Sequence, residues 1–146
     1  MKSIITTLLV LSCIACSDNK DEYVIINDFL HSNNIKLKNL STEPFYLEKS
    51  LNYFKEEEFK DLHFNIKRNE KYKIDTSAIK NKFKDSKSFC ITKLSKPLIS
   101  EDGAMAIVGL DKVCGLEENL TIYLLQKGKN KWLLKTSINA TKTISH

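Results

Sequence analysis

Four cysteines, three histidines and a scatter of carboxylates are the residues able to do chemistry in this chain. Cys90 and Cys114 lie on either side of Glu101-Asp102-Gly103, a stretch with turn chemistry. A three-residue hairpin loop at 101–103 pairs residue i with residue 204 − i, so Cys90 falls opposite Cys114. Opposed residues of a non-hydrogen-bonded antiparallel pair sit about 4.5 Å apart at Cα, within reach of a disulfide. A slip of one residue would send the two sulfurs to opposite faces. The two cysteines are therefore either a disulfide or two small buried hydrophobes. The body of the chain holds no closely spaced Cys-x-x-Cys, which argues against redox catalysis.

The remaining candidates are weaker. His31, His63 and His146 have no second His or Cys at metal-ligand spacing, so no metal site and no cofactor is expected. Ser95 or Ser100 could be matched with His63 as nucleophile and base, but no Gly-x-Ser-x-Gly elbow supports the match. A glycine-rich phosphate loop is also missing. Glu56, Glu57 and Glu58 suit the first turn of a helix, where negative charge is favourable. Asp111, between Leu110 and Lys112, must be exposed or paired, and a lysine is the expected partner. Trp132, Tyr123 and Leu125 fit cross-strand packing better than the mouth of a cavity.

The other two cysteines close the N-terminal segment. Lys2 is followed by an uncharged, apolar run from Ser3 to Ala15, too short for the roughly 20 residues of a membrane-spanning helix. The run has the length of a signal-peptide apolar region. It ends in Leu11-Ser-Cys-Ile-Ala-Cys16, followed by the polar stretch Ser17-Asp-Asn-Lys-Asp-Glu22. Residues 8–17 resemble the lipobox of bacterial lipoproteins. The resemblance implies a signal peptide over 1–15 and lipidation of Cys16, with Cys13 as the alternative acceptor. It also implies an acidic flexible tether over 16–22 and stable anchoring through several acyl chains. The acidic run resembles the surface-export signal of Bacteroidota lipoproteins. On that resemblance the protein sits in the cell envelope as an outer-membrane lipoprotein, facing the periplasm or the surface.

Removing residues 1–15 leaves a length that suits one domain with a real core, spanning 23–146 after the tether. The net charge is +5, and of 23 basic residues only Arg68 is arginine. Basic and acidic residues are interleaved, and the densest basic stretch, Lys67 to Lys84, reads as a solvated face. A nucleic-acid partner is not expected.

The elements that must position these residues change character along the chain. Tyr23, Ile26, Phe29 and Leu30 form one apolar stripe, predicting a helix over 21–33 that Asn33-Asn34 stops. Leu51, Phe54, Phe59, Leu62 and Ile66 can share a face of a second helix within 45–66. Asp75-Thr76-Ser77 could cap a third, carrying Ile79 and Phe83 inward. From Phe89 the period switches to two. Strands are expected over 89–94, 105–114, 120–126 and 131–140, with turn residues between them. Apolar residues fall on both alternation sets, so both faces of the sheet should be covered.

The stretch LSKPLISEDGAMAIVGLDKVCG with LTIYLLQKGKNKWLLK resembles the C-terminal hairpins of small uncharacterised Bacteroidota proteins, over about residues 94–135. In this chain Gly115-Leu-Glu-Glu-Asn119 replaces the family's glycine-rich turn and its second cysteine. The resemblance implies a structural motif and no activity. The expected fold is α+β: two or three N-terminal helices packed on a four-stranded antiparallel β-meander. The expected function is that of a non-catalytic, lipid-anchored envelope protein that binds a protein partner or small ligand. An envelope hydrolase or redox enzyme with an unadvertised active site is the alternative.

Overall fold

The computed structural model describes residues 18–55, 59, 64 and 70–143. The expected signal peptide, Cys13, Cys16, Glu56–Glu58, Leu62, His63, Ile66 and His146 lie outside the described residues.

Helix α1 (Asp18–Ser32) is built on the anticipated stripe. Ile25, Ile26, Phe29 and Leu30 are buried, and Tyr23 packs against the same cluster. Its C-terminus is a Schellman motif. The Ile35 N–H donates to Leu30 O, the Asn34 N–H donates to His31 O, and Asn34 takes the left-handed conformation at φ 52°. Asparagine tolerates that conformation better than most residues with a side chain.

The expected architecture of helices on a four-stranded meander is overturned. Among the described residues there is one α-helix, and seven strands make the fold mostly β. After α1 come β1 (Leu37–Lys38) and then a 3₁₀ stretch, Leu47–Lys55. β2 (Lys82–Phe83), β3 (Ile91–Leu94), β4 (Leu98–Ile99), β5 (Met105–Cys114), β6 (Glu117–Lys127) and β7 (Trp132–Thr143) follow. β3, β5, β6 and β7 are consecutive neighbours in one antiparallel sheet, and β4 also pairs with β5. β1 and β2 form a separate parallel pair.

Two expected helices take other forms for physical reasons. Over 47–55 the helix is 3₁₀ and interrupted at Ser50 (φ −114°, ψ 15°). Leu47 and Ser50 are both buried, and a three-residue repeat puts positions i and i+3 on one side. Phe59 is buried as expected of the second apolar face. The capped sequence at 75 makes only the 3₁₀ turn Thr76–Ala78, with the Ser77 N–H donating to the Asp75 carboxylate. Beyond it, Lys82 and Phe83 are drawn into the ladder with β1, a long-range contact that local capping does not encode. Ile79 is buried as anticipated, but Phe83 is exposed.

β5 is the central strand. Ala106 and Val108 face α1 with Leu94, Leu125 and Trp132. Met105 and Ile107 face Phe45, Leu47, Phe59, Ile122 and Leu124 on the other side. Gly109 sits under Phe45 and Leu47, and a Cβ there would lie 2.7 Å from Phe45 Cδ1. Glycine thus lets the segment after Pro44 lie directly on the sheet. The route between faces runs past the edge strand β3. The Thr92 N–H donates to Asn39 O, Ser41 N–H to Thr92 O and Phe45 N–H to Leu94 O.

The hairpin register is set by two offsets that cancel. Leu98 faces Ile107 and Ile99 faces Ala106, so partners add to 205 across a four-residue loop. Ile91 faces Val113 and Leu94 faces Leu110, so there they add to 204. The difference is a bulge at Lys96-Pro97, where two residues oppose Val108 alone. Pro97 has no N–H to give to a ladder, which suits it to this position. A second bulge lies in β7: Leu124 faces Thr136 and Leu125 faces Leu134, leaving Lys135 unpaired.

Candidate functional site

The segment after β1 turns on Asn39, which holds the left-handed conformation at φ 48°. Its Nδ2 donates to Asp85 O (3.0 Å), Ser88 O (3.2 Å) and Cys90 O (3.0 Å). Its Oδ1 accepts from the Asp85 N–H at 2.8 Å. One side chain therefore fixes the loop 84–90, which has no ladder of its own. Asp85 adds an ion pair to Lys38 at 2.9 Å. Hydrogen bonding from Lys38 and from the Lys87 N–H holds the Asp85 carboxyl below its ordinary range.

These contacts frame an open groove of about 680 Å³, within the size range of ligand sites. Leu40, Phe83 and Ile91 supply its apolar surface; Lys82, Lys84, Ser86, Ser88 and Thr76 supply polar groups. Phe83 and Ile91 line the same concavity and are 44 % and 40 % exposed. A smaller depression of about 400 Å³ shares Lys82 and Phe83 with it and is also lined by Lys36, Lys80 and Asn81. The lining is thus an aromatic ring among lysines. Among the described residues the one acid lining either hollow, Asp85, is neutralised by Lys38.

The groove abuts a covalent tie. Cys90 and Cys114 form a disulfide with Cα atoms 4.2 Å apart, joining β3 to the end of β5. Phe89 beside it is 78 % exposed, and its ring lies over Gly115. Gly115, at φ 64°, opens the two-residue turn into β6.

Asp111, farther along β5, is 2 % exposed. The expected lysine pairing does not describe it. Burial is the main cause that pushes its carboxyl up to about 6, followed by repulsion from and hydrogen bonding with Glu118. Lys93, directly across the ladder, and Lys49 oppose the shift without cancelling it. Asp111 Oδ1 has no hydrogen-bond partner. Burial beside a second carboxyl thus favours the neutral form of Asp111 more than an exposed site would.

Burial also pushes the Tyr72 phenol up to about 12. Tyr72 donates to Phe45 O and accepts from the Lys96 N–H, while the Lys96 ammonium lies 4.8 Å from its ring centroid. This cluster braces the Lys96-Pro97 bulge.

The other flagged residues hold structure. Ser95 and Ser100 are buried and take part in backbone hydrogen bonds: the Gly109 N–H donates to Ser95 Oγ and the Met105 N–H to Ser100 Oγ. His31 is exposed in the last turn of α1. Trp132 and Leu125 are core, and Tyr123 packs its ring 4.7 Å from that of Phe29. Nothing local in the sequence marks the role of Asn39, which depends on carbonyls about 50 residues away, and Phe83, expected in the interior, stands exposed. The signal that was available was the alternation Lys80, Lys82, Lys84 around Asn81 and Phe83, a strand pattern with charge on one side. No protein-family model, curated protein or solved structure matches this chain.

Proposed function

We propose that this protein is a non-catalytic, lipid-anchored component of the bacterial cell envelope that binds a partner through the groove beside β2. The observation that carries the reading is Phe83 and Ile91 standing exposed in a 680 Å³ concavity that Asn39 holds open. A rigid apolar floor with a polar rim is the usual composition of a recognition surface. The lipobox pattern ending at Cys16 supports the anchor and an outer-membrane location. A disulfide fits an oxidising compartment such as the periplasm or cell surface.

Two measurements test the reading together. Cells expressing the full chain are labelled with a fatty-acid probe, and a photo-crosslinking amino acid replaces Phe83. Label lost in Cys16→Ser and a crosslinked adduct in the membrane fraction are expected. Label that persists in Cys16→Ser moves the acceptor to Cys13. An unlabelled wild type removes the anchor, and no adduct at position 83 removes the groove as the binding surface.

A further inference from the structure

We infer that the partner is an acidic peptide segment in extended conformation, which adds to β2 as a third, parallel strand. The inference rests on the binding reading above and names its ligand. Among the described residues β2 pairs with β1 alone, through the Leu37 N–H to Asn81 O and the Asn39 N–H to Phe83 O bonds. Asn81 and Phe83 thus turn backbone groups inward, and Lys82 and Lys84 turn theirs outward. The Lys82 N–H is already bonded to Lys80 O. The Lys82 carbonyl and the Lys84 N–H have no partner among the described residues. One residue of an incoming strand can donate to the first and accept from the second, which is the bonding of a parallel pair.

Charge selects the occupant. Lys36, Lys80, Lys82 and Lys84 line the two hollows on either side of Phe83, and Lys38 neutralises Asp85. A second copy would bring the same lysines to the same edge and be repelled. A strand carrying Asp or Glu at alternate positions would meet them with opposite charge. Apolar residues at the positions between could reach Phe83 and Ile91.

The test uses the full chain in detergent with two fluorescein-labelled ten-residue peptides, one alternating glutamate with valine and one alternating lysine with valine. Anisotropy should detect the acidic peptide and not the basic one. Affinity should fall as salt rises. Lys82→Glu with Lys84→Glu should weaken binding about tenfold, while Lys129→Glu in the distant β6–β7 turn leaves it unchanged. Lys82→Gln with Lys84→Gln provides a milder version should the reversal disturb folding, and should also weaken binding. Hydrogen exchange at the Lys84 amide should slow when the peptide is bound. No binding of the acidic peptide, equal binding of both, or an unchanged Lys84 amide overturns the inference. A partner crosslinked at position 83 that presents a helix or a basic segment also overturns it, and leaves the binding reading standing. Only the lack of any adduct at position 83 removes both.

Discussion

Replacing Asp111 with Asn should stabilise the protein at neutral pH, and the gain should vanish in acid. Asp111 is buried, its Oδ1 is unpartnered, and its carboxyl is pushed from 3.8 up to about 6. A folded-state value above the unfolded one means that the folded chain binds the proton more tightly. Stability from this group is then fully present below about pH 4 and is lost as pH rises through about 6. A shift of about two units corresponds to roughly 2–3 kcal/mol between those limits. Asn has nearly the same shape, carries no charge and brings N–H donors for Glu118. Urea unfolding of wild type and Asp111→Asn at pH 7.5, 6 and 4 measures the difference directly. Taking the difference cancels the opposite trend of Asp75, Asp85 and Asp102, whose carboxyls are all held low. The expected result is a variant more stable by about 2 kcal/mol at pH 7.5 and equal to wild type near pH 4. A difference that stays constant with pH would refute the reasoning. So would a loss of stability at pH 7.5, which would mean that Lys93 or Lys49 holds the charged form.

Three further outcomes follow from named contacts. Cys90 and Cys114 are 24 residues apart, so reducing the bond or making Cys90→Ser should cost about 3.5 kcal/mol through loop entropy. Calorimetry should then show the melting temperature fall by about 10 °C, and a fall under about 2 °C would count against the cross-link. Asn39→Ala removes four side-chain hydrogen bonds and leaves alanine, which tolerates the left-handed conformation less well than asparagine, at φ 48°. Chemical denaturation should show a loss of about 3 kcal/mol, and the 84–90 amides should exchange faster. Gly109→Ala drives a methyl group to within 2.7 Å of Phe45 and 3.1 Å of Leu47, and should cost roughly 1–3 kcal/mol in urea titration.

What could be read from the residues was local or periodic. The α1 stripe fixed which side of the helix is buried, since Ile26, Phe29 and Leu30 recur at helical spacing. The alternation from Met105 to Leu110 foretold a strand with two covered faces. What misled was local signal outweighed by distant contact. Asp75 does cap, but the chain beyond it pairs with β1, about 45 residues earlier in sequence. The helix expected within 45–66 begins as 3₁₀ turns, in which Leu47 and Ser50 are both buried. The groove was illegible for the same reason. Asn39, Phe83 and Ile91 meet only through tertiary pairing, and none has a motif that announces it.

The Lys96-Pro97 bulge has a consequence for how the chain matures. Were Lys96 and Pro97 both taken into the ladder, with no bulge, the loop's own register would run on to the strand end, and Cys90 would face Gly115. Its sulfur and that of Cys114 would then point to opposite sides. Oxidation can therefore seal only the correctly threaded hairpin, and a slipped one remains a dithiol. The redox state of two atoms keeps a permanent record of whether a distant proline found its place.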